Sequence, residues 1–160
     1  AAAIVRIPQI AEDPIWQPVY SSGPAVFYAF ALWLVQLDPE IQQTAADRLH
    51  VRKATGEDLN ALNALRDELK ALPTSAAPSQ IATVLRRYET RVLLAARILD
   101  ISPEINEWLE RYVREWQSVK TAVTGDDLRA IGLPSGPAYG RILDTLLAAR
   151  LDGIVTSGVE

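Results

Sequence analysis

Cysteine and methionine are absent from this 160-residue chain, and histidine occurs once. Without thiols there is neither a disulfide framework nor a thiolate metal site. This fits a reducing compartment, and the cytoplasm is the expected location. The single histidine, His50, sits in RLHVRK between Arg48 and Arg52-Lys53. One imidazole supports neither a histidine metal cluster nor a Ser-His-Asp triad. Long apolar runs are also missing. The longest, PAVFYAFALWLV from Pro24 to Val35, is too short to span a bilayer and no basic region precedes it, so no membrane partner is expected.

What is present describes a folded body. Hydrophobic residues make up 49% of the chain and charged residues 22%, with no like-charge run or low-complexity tract that would keep it disordered. The formal charge of -4 argues against a generic nucleic-acid coat, yet a local basic face depends on where the cations sit and stays open. The chain opens with AAAIVRI. With no methionine, it is expected to be a piece of a longer protein.

The periodicity reads as all-α, because no strand-like alternation runs beyond a few residues. Residues 1–23 carry Pro8, Pro14, Pro18 and Ser21-Ser22-Gly23, and are expected to form an irregular N-terminal strap. A helical body is expected over 24–121 and a helical hairpin tail over 122–160. Within the body, helices are expected from Pro24 to Leu37, from Asp38-Pro39 to about Ala54, and from Thr55 to just before Pro73. Gln80 to Leu99 should be helical with a break near Glu89-Thr90, and Ser102-Pro103 should cap a helix reaching about Thr121. Around that last axis Ile105, Trp108, Leu109, Tyr112, Val113, Trp116 and Val119 fall within an arc of roughly 140°. An aromatic stripe that shares its face with Ile105 and Leu109 reads as core rather than as a base-stacking platform. Trp33 and Phe30 are assigned to the core in the same way.

The segment from Thr124 stops and restarts a helical pattern abruptly. Thr124-Gly-Asp-Asp-Leu128 has a twin at Thr55-Gly-Glu-Asp-Leu59, and both read as helix starts in which threonine caps and an acid answers back. Gly132 can take the left-handed conformation that closes the first helix, and Pro134 prevents its continuation. Gly136-Pro137 launches the next helix with proline at its first position. That start carries no acidic side chain. The amides of Ala138, Tyr139 and Gly140 would meet an anion, Gly136 and Gly140 would let it approach, Ser135 offers a hydroxyl and Arg141 a charge. The other reading is a tight helical hairpin in which Gly140 serves close packing. Arg86, Arg87, Arg91 and Arg97 are either an RNA-facing stripe or a charged surface offset by Glu89 and Asp100. Arg48 to Lys53 are either a phosphate contact or cations at a solvated helix end.

At the hairpin, T-G-D-D-L-x-x-I-G-L-P-x-G-P-x-Y-G-x-I-L followed by L-x-A-A-R-L-D-G resembles the C-terminal segment of bacterial class II tRNA nucleotidyltransferases, the CCA-adding and A-adding enzymes, and their poly(A) polymerase relatives. The likeness is close from Thr124 to Gly153. LRDELKAL and VLRRYETRVLLAARIL are similar to the same family's helical body. The resemblance implies an RNA-binding body and tail whose partners are tRNA and a catalytic head. That head would carry a D-x-D carboxylate pair for metal, with Mg and ATP or CTP as its cofactors, and a neck would carry E-D-x-x-R. This chain has no Asp-x-Asp, and Glu12-Asp13 is followed by Trp16 where arginine would stand. No catalytic or metal residue is therefore expected here, and the piece alone should be inert. The turn is also similar to the helix-hairpin-helix group, though glycines 132 and 136 stand farther apart than its usual G-x-G. The alternative of a different class is a helical oligomerisation module without RNA contact.

Overall fold

The computed structural model describes residues 2–22, 25–49, 53–134 and 136–155. Among these it contains ten α-helices, one 3-10 turn and no strand, so the chain is all-α. In order these are α1 (Ala2–Ala11), α2 (Gln17–Ser22), α3 (Ala25–Leu34), α4 (Pro39–Arg48), α5 (Lys53–Ala71), α6 (Pro78–Leu85), α7 (Thr90–Leu99), α8 (Pro103–Arg114), the 3-10 turn Trp116–Ser118, α9 (Gly125–Ala130) and α10 (Pro137–Leu151). No helix among the described residues is long and apolar enough to cross a membrane.

The fold is organised around α7. Val92 to Ala96 and Ile98 are all buried, and α1, α2, α3, α5 and α8 pack around them. A helix with so wide an apolar surface has to be enclosed in this way, and its two arginines, Arg91 and Arg97, are left to meet carboxylates of the neighbouring helices. Facing it, α5 presents Leu59, Leu62, Leu65 and Leu69, while α8 presents Ile105, Leu109 and Tyr112. The expected break before Thr90 is present, with Glu89 extended at the N-cap of α7. The expected cap at Ser102 also forms, its hydroxyl accepting from the Ile105 amide at 3.2 Å.

Residues 1–23 are not an irregular strap: α1 and α2 occupy most of them. Pro8 lies inside α1, but the lost backbone bond is offset by burial of Ile10 and by Trp16, which is 0% exposed. Pro14 sits in a turn where Asp13 accepts from the Ile15 amide through its side chain and from the Trp16 amide through its carbonyl. Arg6 of α1 reaches Asp100 at 2.8 Å, and Asp100, in the left-handed region at φ 56°, also accepts from Asn106 of α8. One aspartate thus ties the middle of α1 to the end of α7 and the start of α8.

Three further expectations change. Trp33 is 49% exposed rather than core, because α3 turns Tyr28, Ala31, Leu32 and Val35 inward and its uniformly apolar sequence gave no face to choose by. Phe30 is half-buried against the core, its ring centroid 6.3 Å from that of Trp33. Helix α5 begins at Lys53, so Thr55 and Gly56 lie within its first turn and the twin pentapeptide is no helix start. Helix α8 ends at Arg114 instead of reaching Thr121, and a 3-10 turn then drives Trp116 into the core beneath the Arg111 guanidinium. Tyr112 and Trp116 are buried as expected, and Trp108 is half-buried. Burial raises the Tyr28 hydroxyl to about 12, so it stays protonated throughout the neutral range.

Helix α10 lies on α6, yet none of its residues is fully buried. Its end is fastened by Asp152, whose carboxylate accepts from both the amide and the hydroxyl of Ser79 at 2.8 Å. Asp152→Ala is expected to lower stability by about 1–2 kcal/mol, the cost of stranding partly buried donors. Urea denaturation of the two proteins measures this, and Ser79→Ala should cost less because the amide bond survives.

Candidate functional site

The tail hairpin is built from two helix ends and a start. At Thr124 the hydroxyl accepts from the Asp127 amide at 3.4 Å, and the Asp127 carboxylate accepts from the Thr124 amide and hydroxyl, both at 2.7 Å. This closes the expected capping box on α9. Asp126 is held by Arg129 at 2.9 Å, so both acids are engaged in ordering α9. At the other end Gly132 has φ 84°, its amide donates to the Arg129 carbonyl and the Leu133 amide donates to that of Leu128. These paired bonds and the left-handed glycine form the Schellman closure.

The next helix starts in the open. Gly136, Pro137, Ala138, Gly140 and Arg141 are exposed, and Ser135 lies outside the described residues. Gly136 is the N-cap of α10 with an extended φ of 169°, and the first turn carries no acid. Of the amides expected to be available, that of Tyr139 is already bonded to the Gly136 carbonyl at 3.0 Å, whereas Ala138 has no acceptor among the described residues. Gly140 stands at the fourth helical position, where the backbone ladder normally supplies an acceptor. Tyr139 is a structural residue: its hydroxyl donates to the Leu133 carbonyl at 2.7 Å and its ring lies 3.6 Å from the Cβ position at Gly125. A Cβ at Gly140 or Gly136 would meet no atom within 4 Å apart from its own helix and chain neighbours, so a steric need for glycine within the described residues does not account for either one.

The structure also sorts the arginines. Arg87 pairs with Glu68, Arg91 with Asp58 through two bonds of 3.0 and 3.1 Å, and Arg97 with Glu110 at 2.8 Å. Arg91 is consequently held more basic than usual, chiefly by its bond to Asp58. Arg86 is different: it donates to the Val119 carbonyl at 3.4 Å and has no acidic partner among the described residues. Lys120 and Arg141 likewise make no ion pair among the described residues. Arg48 is engaged within the protein, and His50 and Arg52 fall outside the described residues.

Arg86 and Lys120 share a cleft of about 450 Å³ between α6, the Val119–Thr124 linker and α10. Val119, Val123, Leu143 and Leu147 supply its apolar surface, and Gln117 and Asp144 also line it. Arg141 lies one turn before Asp144 on α10. The linker amides of Lys120 to Val123 have no acceptor among the described residues. Sequence reasoning missed Lys120 because it ran α8 to about Thr121, and it gave no role to Asp144 within α10. The cluster of β-branched residues at Val119, Thr121, Val123 and Thr124 was the available signal. Asp38 and Glu40, the acids flanking Pro39, belong to the start of α4, and no group of three His, Cys, Asp or Glu side chains that could hold a metal ion occurs among the described residues.

Over 75 residues the chain is 41% identical to the A-adding tRNA nucleotidyltransferase of Geobacter sulfurreducens (strain ATCC 51573 / DSM 12127 / PCA). The match takes in 47% of this chain but only 8% of that relative's length. The chain is thus related in part to a tRNA nucleotidyltransferase. No family model matches it, and no solved structure does either.

The hairpin's own acid gives a pH test. Bonds from the Thr124 hydroxyl and amide hold the Asp127 carboxyl below its ordinary 3.8. A lowered folded value stabilises α9 above the unfolded value, and that contribution disappears as pH falls through the folded one. The Thr124 and Asp127 amide signals should therefore move in an NMR titration below pH about 3.8, and Asp127→Asn should abolish that transition.

Proposed function

We propose that this chain is the RNA-holding body and tail of a tRNA nucleotidyltransferase or poly(A) polymerase relative. It grips tRNA by the phosphate backbone while a head domain elsewhere in the parent protein adds nucleotides to the 3′ end. The observation that carries this reading is the exposed, acid-free start of α10 at Gly136, with Arg141 and the nearby Arg86 and Lys120 making no ion pair among the described residues. The partial identity to an A-adding enzyme supplies the chemical context.

In this reading Ala138 offers its amide, Gly136 and Gly140 keep the backbone accessible, and Ser135 and Arg141 complete the contact with a phosphate. Tyr139 holds the turn in shape through Leu133 rather than touching RNA. Arg86 and Lys120 extend the positive surface across to the body. Such contacts position an RNA without reading its sequence. Mg and ATP or CTP belong to the head, because this chain has no Asp-x-Asp to hold metal. The parent would work in the cytoplasm.

A second reading is an oligomerisation module, favoured by the exposed apolar residues Ile131, Leu133, Ile154 and Val155 on the tail. The two separate in one experiment. The chain should shift tRNA at low salt, with affinity falling linearly in a log–log salt plot. Arg141→Ala should reduce that slope by about one unit. No tRNA shift at low salt, together with a concentration-dependent dimer in sedimentation, would establish the second reading instead. No nucleotide incorporation is expected from the chain alone.

A further inference from the structure

The cleft between α6, the linker and α10 has a composition that a bare phosphate does not explain. Four aliphatic side chains supply its apolar surface beside Gln117, Thr121 and Thr124, and Asp144, exposed at its rim, makes neither a hydrogen bond nor an ion pair among the described residues. Aliphatic surface gives a phosphate nothing, and a carboxylate repels it. At about 450 Å³ the cleft falls in the range of small-ligand sites.

A ligand that satisfies every wall must be flat and apolar in one part, present donors at one edge and carry negative charge at another. An unstacked nucleotide has this form. Its base would lie on Val119, Val123, Leu143 and Leu147, and its phosphate would meet Arg86 and Lys120. Arg86 is already oriented by the Val119 carbonyl and by its contact with the Tyr112 hydroxyl. The unbonded linker amides add donors for phosphate or sugar oxygens. Asp144 then selects among bases. Guanine presents two adjacent N–H donors on one edge, which match the two oxygens of a carboxylate. A peptide with a basic side chain would satisfy Asp144 but would bring its charge against Arg86 and Lys120.

We infer that this cleft holds one unstacked guanine nucleotide of the bound RNA, with Asp144 on the base and Arg86 and Lys120 on the phosphate. The inference rests on the RNA-holding function proposed above and adds a base-reading site to it.

The test is an amide NMR titration of the full 160-residue chain. The probes are GMP, IMP, UMP, a single-stranded RNA with one guanine, and the same RNA with inosine in its place. GMP and the guanine RNA should shift the signals of 119–124 and 143–147, and GMP should bind about five-fold more tightly than IMP, which lacks the second donor. Asp144→Asn should erase that difference. Tighter binding of the guanine RNA than of free GMP supports the RNA source; equal or tighter binding of GMP overturns it. Equal response to GMP and IMP, or no movement at the cleft with any guanine probe, overturns the inference. If tRNA still binds with a salt dependence while the cleft signals stay still, the backbone reading survives and this one fails. A cleft response to GMP without any tRNA binding removes the backbone reading and the RNA source together.

Discussion

The two bonds from Ser79 to Asp152 determine where the tail stands. Helix α10 buries no residue completely, so apolar packing alone holds it weakly, and its position depends on contacts concentrated near its C-terminal end. Asp152 lies just past that end and acts at the start of another helix, where it accepts from the amide and hydroxyl of Ser79. Together these two partly buried bonds are worth about 1–2 kcal/mol, comparable with burying an aliphatic side chain. The far end of α10 is left free of the body, and its first turn remains in water.

The same bonds divide the electrostatics of three helix starts. Helix α9 receives its own acid, Asp127, through the capping box. Helix α6 begins after Ala77, which has no polar side chain, and takes its negative charge from Asp152 of the tail. Helix α10 receives none: its N-cap is glycine and its first turn lacks acid. Each start carries partial positive charge and unbonded amides, so the one left unanswered is the one where an external anion gains most. The arginines divide in parallel. Those on α7 and at the end of α6 that meet carboxylates of α5 and α8 are spent on holding the body together, and Arg86, turned towards the linker, is not.

Features decided within a few residues were legible from sequence. The helical class, the break before Thr90, the Ser102 and Thr124 caps and the closure at Gly132 all follow from local backbone rules. So does the identity of the turn that opens α10. Features decided across the chain were not. Pro8, Pro14 and Pro18 argued for irregularity, but burial of Ile10 and Trp16 against α7 outweighed local propensity. Trp33 lies on a helix apolar all round, where periodicity carries no direction and only the packing of Tyr28 and Leu32 sets the inward face. Arg86, Arg87, Arg91 and Arg97 could not be told apart, because the carboxylates that Arg87, Arg91 and Arg97 meet lie 13 to 33 residues away along the chain and Arg86 meets none among the described residues.

The early end of α8 connects these points. Had the helix run to Thr121, the Lys120 and Thr121 amides would be bound in its ladder and the chain would reach α9 from a different height. Instead Trp116 turns inward, where burying a large aromatic outweighs the helical bonds lost after Arg114. The chain must then cross from Val119 to Thr124 as non-helical backbone. That crossing forms one wall of the cleft, and α10, held by Asp152, forms another. A core requirement at one tryptophan therefore creates the largely apolar, cation-rimmed cleft at the surface, and the tail's anchor positions the α10 wall of it.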